Sequence, residues 1–345
     1  MNAREVRPVL ERLARRSGGE LLVKEPHWGD AILCDALVQA SATLDSDAPL
    51  QAAIGWFEPR LSRGPKLTGW FWFWAAEALA AVDLHLVTHR ADFLNYAREV
   101  VAGFETTATR TTDGAVVPHP PALEVWVDVA YFTAPAMAAV ARLLKDDDLL
   151  ERALDQLLVH HKYLVDLRTG LCWHVAYPDK GTHSQCLWAR GNSWFAIAAA
   201  QVIGVLGSQA REARFESKVA SLEAALARQL NAVVGLQDES GLWHTVIDRK
   251  DSYLESSAAA GFALALGRTL AHRIPGLNRE SASAAYERAI AVICSKVNER
   301  GDFVGVSQQT PPGDFAFYNS IQVGTAPFGA GICMIALSEK IRRSR

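Results

Sequence analysis

The sequence predicts an all-α protein, and three observations support this fold class. Apolar residues recur at helical spacing in segment after segment. Alternating apolar and polar residues, the pattern of a strand, occur only in short stretches between these segments. Nearly all-apolar segments also alternate with more charged ones, and each is too short to bury its apolar face alone. We therefore expect helices that pack against one another in two layers.

Twelve helices are expected, which pair as six consecutive hairpins. In chain order they span 3–17, 27–45, 48–61, 70–87, 90–108, 126–143, 148–166, 188–206, 212–230, 253–272, 281–296 and 321–343. The most apolar are 70–87, 188–206 and 253–272, and the more charged are 90–108, 148–166 and 212–230. This alternation predicts an inner and an outer ring, the double toroid known as an (α/α)6 barrel. A superhelical array of helix pairs is the alternative, but the sequence has no repeat at a fixed period.

Composition favours one ordinary globular domain. The chain has 345 residues, of which 50% are hydrophobic and 21% charged, enough for a large core. No linker or low-complexity tract divides it, so a single domain over 1–345 is expected. The net charge of −3 and the lack of a basic stripe argue against nucleic acid or an anionic membrane as partners. Oligomeric state does not follow from the sequence.

Location and redox state are also predicted from the sequence. The first sixteen residues carry charges throughout, so we expect no signal peptide, no later stretch of membrane-spanning length and a cytoplasmic protein. The cysteines are odd in number, scattered and without metal-ligand spacing. They are Cys34, Cys172, Cys186, Cys294 and Cys333. Reduced thiols in a core are expected, and no metal site.

Tryptophans are concentrated at the starts of the expected inner helices, within the first turn or two. They are Trp28, Trp70, Trp72, Trp126, Trp188 and Trp194. In a toroid these positions share one rim. Tryptophan there offers a flat apolar surface to the C–H faces of sugars and an indole N–H to their hydroxyls. For any single tryptophan a core role is the commoner one, so the inference rests on the set.

A lone carboxylate lies in the apolar run from Glu124 to Phe132. Asp128 sits at the start of the expected helix, where it could simply cap the first turn. Burial beside Trp126 would favour its protonated form, whereas the helix N-terminus would favour its anion. A group poised to exchange protons is the functional interpretation.

A second polar group lies between residues 170 and 194. Arg190 could hold a sugar carboxylate through two hydrogen bonds, or could pair with an acidic residue of its own protein. Gly191 and Asn192 could let the backbone approach a ligand or simply begin a helix. His174 taken alone is more often structural than catalytic.

Four runs carry a resemblance to a known family. They are VWVDVAYFTAP (125–135), LCWHVAYPDKGTHSQCLWARGNSWF (171–195), SGLWHTVIDRKDSYLESSAAAGFALALG (240–267) and GTAPFGAGICMIALSE (324–339). In this order they resemble signatures of the unsaturated rhamnogalacturonyl and glucuronyl hydrolases, glycoside hydrolase families 105 and 88. The similarity covers about residues 25–340.

The resemblance implies an (α/α)6 barrel and an enzyme that releases a 4,5-unsaturated uronic acid from the non-reducing end of an oligosaccharide. Asp128 would protonate C4 of the enol ether and help a water to attack C5, after which the hemiketal opens. His174, Arg190 and Trp194 would line the pocket, and no metal or organic cofactor is implied. This reaction differs from ordinary glycoside hydrolysis, which needs two carboxylates.

One departure from the family pattern lies in the run LTGWFWFWAAEAL, residues 67–79. Relatives often place an acidic residue at the start of this helix, whereas here none occurs between Glu58 and Glu77. The added tryptophans predict a subsite that favours stacking over hydrogen bonding. A polysaccharide lyase or sugar epimerase on the same toroid is the alternative enzyme, using Tyr131, His174 and Arg190. A non-catalytic carbohydrate-binding protein is the alternative without chemistry.

Overall fold

Twelve long helices and one short helix make up most of the chain. A computed structural model of the protein describes residues 1–22, 27–67, 73 and 75–344. Within these ranges the helices are α1 (Ala3–Leu21), α2 (Gly29–Leu44), α3 (Asp47–Arg63), α4 (Ala76–Thr88), α5 (Ala91–Thr107), α6 (Val127–Leu144), α7 (Asp147–Leu164), α8 (Ala189–Leu206), α9 (Glu216–Gly235), α10 (Ser256–Ala271), α11 (Arg279–Ser295), α12 (Phe315–Ser320) and α13 (Pro327–Arg342). A 3-10 turn, Gly207–Arg211, follows α8.

Six of these helices form a closed inner ring. Helices α2, α4, α6, α8, α10 and α13 each contact the next, and α13 returns to α2. Each inner helix also packs on an outer helix beside it in the chain, as α6 does on α7 and α10 on α11. The structure therefore confirms the (α/α)6 barrel predicted from the alternation of apolar and charged segments.

The two rings differ in how much of each helix is buried. Along α10 nearly every residue from Ser256 to Leu270 is buried, because small residues let neighbouring helices approach closely on all sides. The outer helix α7 buries one stripe that includes Leu150, Leu154 and Leu157. Amphipathic outer helices around nearly all-apolar inner ones place the core between the rings.

Two inner helices begin later in the chain than predicted, because other structure precedes them. Helix α10 begins at Ser256, because Glu255 caps it by accepting hydrogen bonds from the Ser257 and Ala258 amides at 2.6 and 2.8 Å. Helix α13 begins at Pro327, whereas the sequence predicted residue 321. The intervening residues form a bend and the short strand Val323–Gly324, and α12 precedes them.

Two inner helices contradict the expectation that no stretch reaches membrane-spanning length. The segments Val127–Leu144 and Ala189–Ala210 are long and apolar enough by length and composition. Their most apolar windows are 78% and 67% buried inside the protein, as expected of core helices in a toroid. The five cysteines are buried and free, which confirms the expected reduced thiols in the core.

Short strands cluster where the chain runs into the inner helices. They are β1 (Val125–Trp126), β2 (Val175–Tyr177), β3 (Thr182–His183), β4 (Trp243–His244), β5 (Leu254–Glu255), β6 (Val306–Ser307) and β7 (Val323–Gly324). Strand β1 pairs with β2 and β2 with β3, β4 pairs with β5, and β6 pairs with β7, all antiparallel. Since β1 and β5 lead directly into α6 and α10, these pairs fix the loops around the N-terminal ends of the inner helices.

Candidate active site

A narrow cleft lies at the rim formed by the N-terminal ends of the inner helices. Its volume is about 460 Å³, counting its mouth. The described residues that line it are Trp28, Phe73, Trp126, Asp128, Trp188, Arg190, Trp194, Gln309, Thr310 and Pro311. Six of the eight residues predicted from the sequence are among them. His174 lies immediately behind Asp128, and Trp70, with Trp72, falls outside the described residues.

Strand pairing brings Asp128 next to His174. Trp126 at the end of β1 is opposite Val175 of β2, and the Val127 amide donates to the His174 carbonyl at 3.0 Å. Asp128, the second residue of α6, thereby places its Oδ2 3.3 Å from Nε2 of His174. The two buried atoms are close enough for an ion pair but are not aligned as a hydrogen bond.

The capping interpretation of Asp128 is not supported by its contacts. The N-cap residue of α6 is Trp126, and no side chain caps this helix end. Oδ2 of Asp128 is buried against His174, so the carboxylate meets the cleft through Oδ1. A carboxylate that is 8% exposed and makes no cap is free to exchange a proton with a bound molecule.

His174 is held from its other side by a tyrosine. Its Nδ1 is 2.6 Å from the Tyr318 hydroxyl, which belongs to the short helix α12. The imidazole is 1% exposed and lies against the Trp188 ring at 4.3 Å. Tyr318 had no signal in the sequence, because nothing in the run FAFYNS indicates which residue 144 positions away it contacts.

Arg190 anchors the loop that forms one wall of the cleft. Its Nη1 donates to the Ser307 carbonyl at 2.7 Å, and its Nη2 donates to the Gln308 carbonyl at 2.8 Å and to Thr310 Oγ1 at 3.1 Å. Nη1 also donates to Ser257 Oγ at 3.1 Å. Both terminal nitrogens are therefore occupied by the protein. A two-pronged grip on a sugar carboxylate, as the sequence suggested, is not the arrangement in this structure.

The charge of Arg190 nevertheless faces the cleft without a salt bridge in the described structure. Its side chain is fully buried, and all four hydrogen-bond acceptors are neutral. Burial lowers the pKa of the guanidinium, and the nearby carboxylates of Glu255 and Asp128 partly offset this. Nε is buried and has no acceptor among the residues that the structure describes. A positive charge set among neutral groups favours an anion in the adjoining cleft.

The two residues after Arg190 serve packing. A Cβ at Gly191 would lie 2.7 Å from Val127 Cγ1 and 2.8 Å from Trp188 Cε3, so glycine lets α8 approach α6. Asn192 accepts from the Cys172 amide at 2.7 Å and donates to the Cys172 carbonyl at 2.9 Å. Of the alternatives left open by the sequence, the structure favours the local structural role for both.

Three indole N–H groups around the cleft lack an acceptor among the described residues. They belong to Trp28, Trp188 and Trp194, and all three nitrogens are buried. Buried N–H groups are almost always hydrogen-bonded in folded proteins. Three unsatisfied donors beside one cleft indicate a ligand with several oxygen acceptors.

Apolar ring faces supply the other half of the lining. Trp28 is stacked between Phe73, at a centroid distance of 5.0 Å, and Phe328, at 4.9 Å. Phe73 belongs to the run predicted to favour stacking, but the tryptophans on which that prediction depends lie outside the described residues, so it stays a prediction. Phe73, Gln309, Thr310 and Pro311 were missed in the sequence, because the last three come from a loop with no motif of its own.

Asp128 is the one carboxylate among the described residues that line the cleft. Glu77, the first acid after Phe73, points to the outer hairpin, where it pairs with Arg60 at 3.0 Å and accepts from Tyr96. Glu124 accepts a hydrogen bond from the Trp126 indole at 2.7 Å. Neither therefore supplies a second free carboxylate at the cleft.

The chain is similar to known proteins along nearly its whole length. The family model described as Glycosyl Hydrolase Family 88 matches residues 11–344. The unsaturated rhamnogalacturonyl hydrolase YesR of Bacillus subtilis is 34% identical over 191 residues, which cover 53% of this chain and 54% of YesR. Protein Atu3128 of Agrobacterium fabrum is 34% identical over 113 residues, or 32% of this chain and 44% of that protein. The matches thus span about half the length of these curated relatives.

Solved structures show the same fold. A possible member of the GH105 family from Klebsiella pneumoniae superposes with a TM-score of 0.86 at 24% identity, covering 97% of this chain and 93% of the other. The unsaturated glucuronyl hydrolase of Bacillus sp. GL1 superposes with a TM-score of 0.71 at 17% identity, covering 90% and 85%. With the family model matched over residues 11–344, the conclusion is that this chain belongs to Glycosyl Hydrolase Family 88.

Proposed function

We propose that this protein hydrates the enol-ether double bond of a 4,5-unsaturated uronic acid at the non-reducing end of a short oligosaccharide, and so releases that sugar. Asp128 is the acid and base. Its carboxyl proton goes to C4, and the positive charge that develops at C5 is shared with the ring oxygen. Water then adds to C5 and returns a proton to Asp128. The hemiketal opens, and the hemiacetal left at C1 releases the saccharide.

The single carboxylate in the cleft carries this proposal. Ordinary glycosidases flank the scissile bond with two carboxyl groups, about 5–10 Å apart, that divide the roles of acid and nucleophile or base. Among the described residues Asp128 is the one carboxylate that lines the cleft, and Glu77 and Glu124 are engaged elsewhere. One residue that first donates and then accepts a proton matches the hydration of a vinyl ether.

The lining of the cleft supports an anionic sugar as substrate. The buried guanidinium of Arg190 favours the uronate carboxylate, the three unsatisfied indole N–H groups match hydroxyl and ring oxygens, and the aromatic side chains of the lining add apolar surface. The names of the unsaturated rhamnogalacturonyl hydrolase YesR and of the unsaturated glucuronyl hydrolase structure point to the same substrate class.

The lyase or epimerase alternative is less well supported. It requires a tyrosine or histidine that can remove a proton from the sugar. Tyr131 is 4% exposed, packs under Trp194 at 4.5 Å, and is not part of the lining of the cleft. Burial raises the pKa of its hydroxyl, so the hydroxyl keeps its proton and is not available as a base.

A panel of lyase-generated oligosaccharides tests the proposal. The expected result is loss of the near-ultraviolet absorbance of the enol ether with release of one saccharide for each double bond lost. Reduced oligosaccharides that lack the double bond serve as the control and should not be cleaved. Cleavage of the saturated control, or saccharide release that leaves the double bond in the product, would contradict hydration.

A further inference from the structure

Each ring nitrogen of His174 has one polar neighbour in this structure. The Tyr318 hydroxyl lies 2.6 Å from Nδ1, and Nε2 lies 3.3 Å from Asp128 Oδ2. Only one hydrogen can lie between a hydroxyl oxygen and an imidazole nitrogen at this distance. If the Tyr318 hydroxyl donates it, Nδ1 carries no proton and the ring proton of the neutral imidazole is on Nε2. That choice decides in turn whether His174 presents a donor or an acceptor to Asp128.

Tyr318 is placed to be the donor of this pair. It is fully buried, and burial raises the pKa of its hydroxyl, so it keeps its proton. Among the described residues, Nδ1 of His174 is the one acceptor within hydrogen-bond distance of this hydroxyl. With no other acceptor in reach, the hydroxyl directs its hydrogen towards Nδ1 of His174.

We propose that Tyr318 is a positioning residue that donates to Nδ1 of His174 and thereby keeps the imidazole proton on Nε2, where it faces the Asp128 carboxylate. Nε2–H stabilises the Asp128 anion through its charge, and this favours the form that accepts the proton of the attacking water. Without Tyr318, the imidazole can turn an unprotonated Nε2 towards Asp128 and stabilise the protonated carboxyl. The effect on turnover rests on the proposed function, whereas the position of the proton does not.

Other titratable groups also lie near Asp128, and the Tyr318→Phe substitution does not alter their side chains. Among the described residues they are Arg190 from α8 and His119 from the segment before β1, besides His174 and Tyr318. Burial lowers the pKa of His119, so its ring tends to stay neutral. Arg190 keeps its charge throughout. A change caused by removing the Tyr318 hydroxyl alone therefore reports on His174.

The first test reads the proton directly, without substrate. In protein labelled with 15N-histidine, the His174 ring, assigned by its loss in His174→Gln, should show an unprotonated Nδ1 and a protonated Nε2. In Tyr318→Phe, which keeps the buried ring and removes the hydroxyl, this pattern should shift towards the other tautomer. A proton on Nδ1 in the unaltered protein would overturn the proposal, whatever reaction the enzyme catalyses.

The second test is kinetic. With an unsaturated oligosaccharide, Tyr318→Phe should lower kcat about 3–10-fold with KM within about twofold. The alkaline limb of the pH–rate profile should move upward by about 0.5–1 pH unit, because the protonated form of Asp128 is favoured. The control is Tyr286→Phe, which removes a buried hydroxyl that has no hydrogen-bond partner in the described part of the chain and does not line the cleft.

The outcomes separate the two claims. A Tyr318→Phe profile that matches both the unaltered enzyme and Tyr286→Phe would overturn the positioning role. A lower melting temperature with an unmoved pH profile would assign Tyr318 to stability alone, and would overturn it too. If the unaltered enzyme leaves every unsaturated oligosaccharide intact, the proposed function fails, while the tautomer measurement still decides this inference.

Discussion

Replacing Arg190 with methionine removes a guanidinium whose partners can be counted. Its four hydrogen bonds go to the Ser257 and Thr310 hydroxyls and to the Ser307 and Gln308 carbonyls. Three of these acceptors, the two hydroxyls and the Gln308 carbonyl, keep another hydrogen bond when the guanidinium is removed. Ser257 still donates to Glu255 at 2.6 Å, and the Thr310 hydroxyl still donates to the Gln308 carbonyl at 2.8 Å.

The Ser307 carbonyl is the group that loses its strong donor. A hydrogen bond from a charged donor contributes about 1.5–3 kcal/mol, and the weaker bonds add to this, while release of a buried charge offsets part of it. We expect a loss of about 2–4 kcal/mol in the free energy of unfolding. For a chain of this size this corresponds to a fall in melting temperature of about 3–6 °C.

Thermal unfolding and kinetics on the same purified variants provide the assay. The control is Arg249→Met, an exposed arginine paired with Asp251, which should leave the melting temperature nearly unchanged because exposed ion pairs contribute little. Arg190→Met should also raise KM for an unsaturated uronate more than for a neutral disaccharide. An unchanged melting temperature together with lost activity would refute the anchoring role and return Arg190 to ligand binding alone. An equal increase in KM for the charged and the neutral saccharide would show that Arg190 does not recognise the carboxylate.

Two further predictions concern packing and pH. Gly191→Ala should destabilise the protein by about 1–3 kcal/mol in denaturant unfolding, because its Cβ would lie 2.7 Å from Val127, whereas Gly235→Ala, with nothing within 4 Å, should not. Equal stability of the two variants would contradict the close contact. Burial lowers the pKa of His160 to about 4 from 6.5, so its contribution to stability is present above pH 6.5 and is lost as the pH falls towards 4. His160→Gln should therefore flatten the fall in stability over this range by roughly 2–3 kcal/mol, and an unchanged slope would contradict the assignment.

The elements that could be predicted from the sequence depend on local patterns. Helical periodicity places all twelve long helices, and the tryptophans at their starts indicate the rim, because both signals lie within one segment. Trp126 and Trp188, which were predicted from their positions at helix starts, line the cleft. Asp128 was identified by its isolation among apolar residues together with the family motif.

The parts that could not be predicted depend on contacts between distant segments. Arg190 bonds to residues about 120 positions away, so the sequence suggested a carboxylate partner, from a sugar or from the protein, where the structure has neutral groups of a loop. Tyr318 is 144 positions from His174, and its short helix has no strong pattern. The start of α10 shifted because Glu255 caps it, an interaction that helical periodicity does not indicate.

The measurement that tests the account most directly is the turnover of Asp128→Asn. Asparagine keeps the size of the side chain but cannot deliver or accept the proton, so consumption of the enol ether should fall by at least about 10²–10⁴. Because Asp128 makes no cap, the melting temperature should be retained, and substrate binding should survive. The residual rate should also lose the alkaline decline that ionisation of Asp128 imposes. Near-normal enol-ether consumption by folded Asp128→Asn would contradict the proposed mechanism.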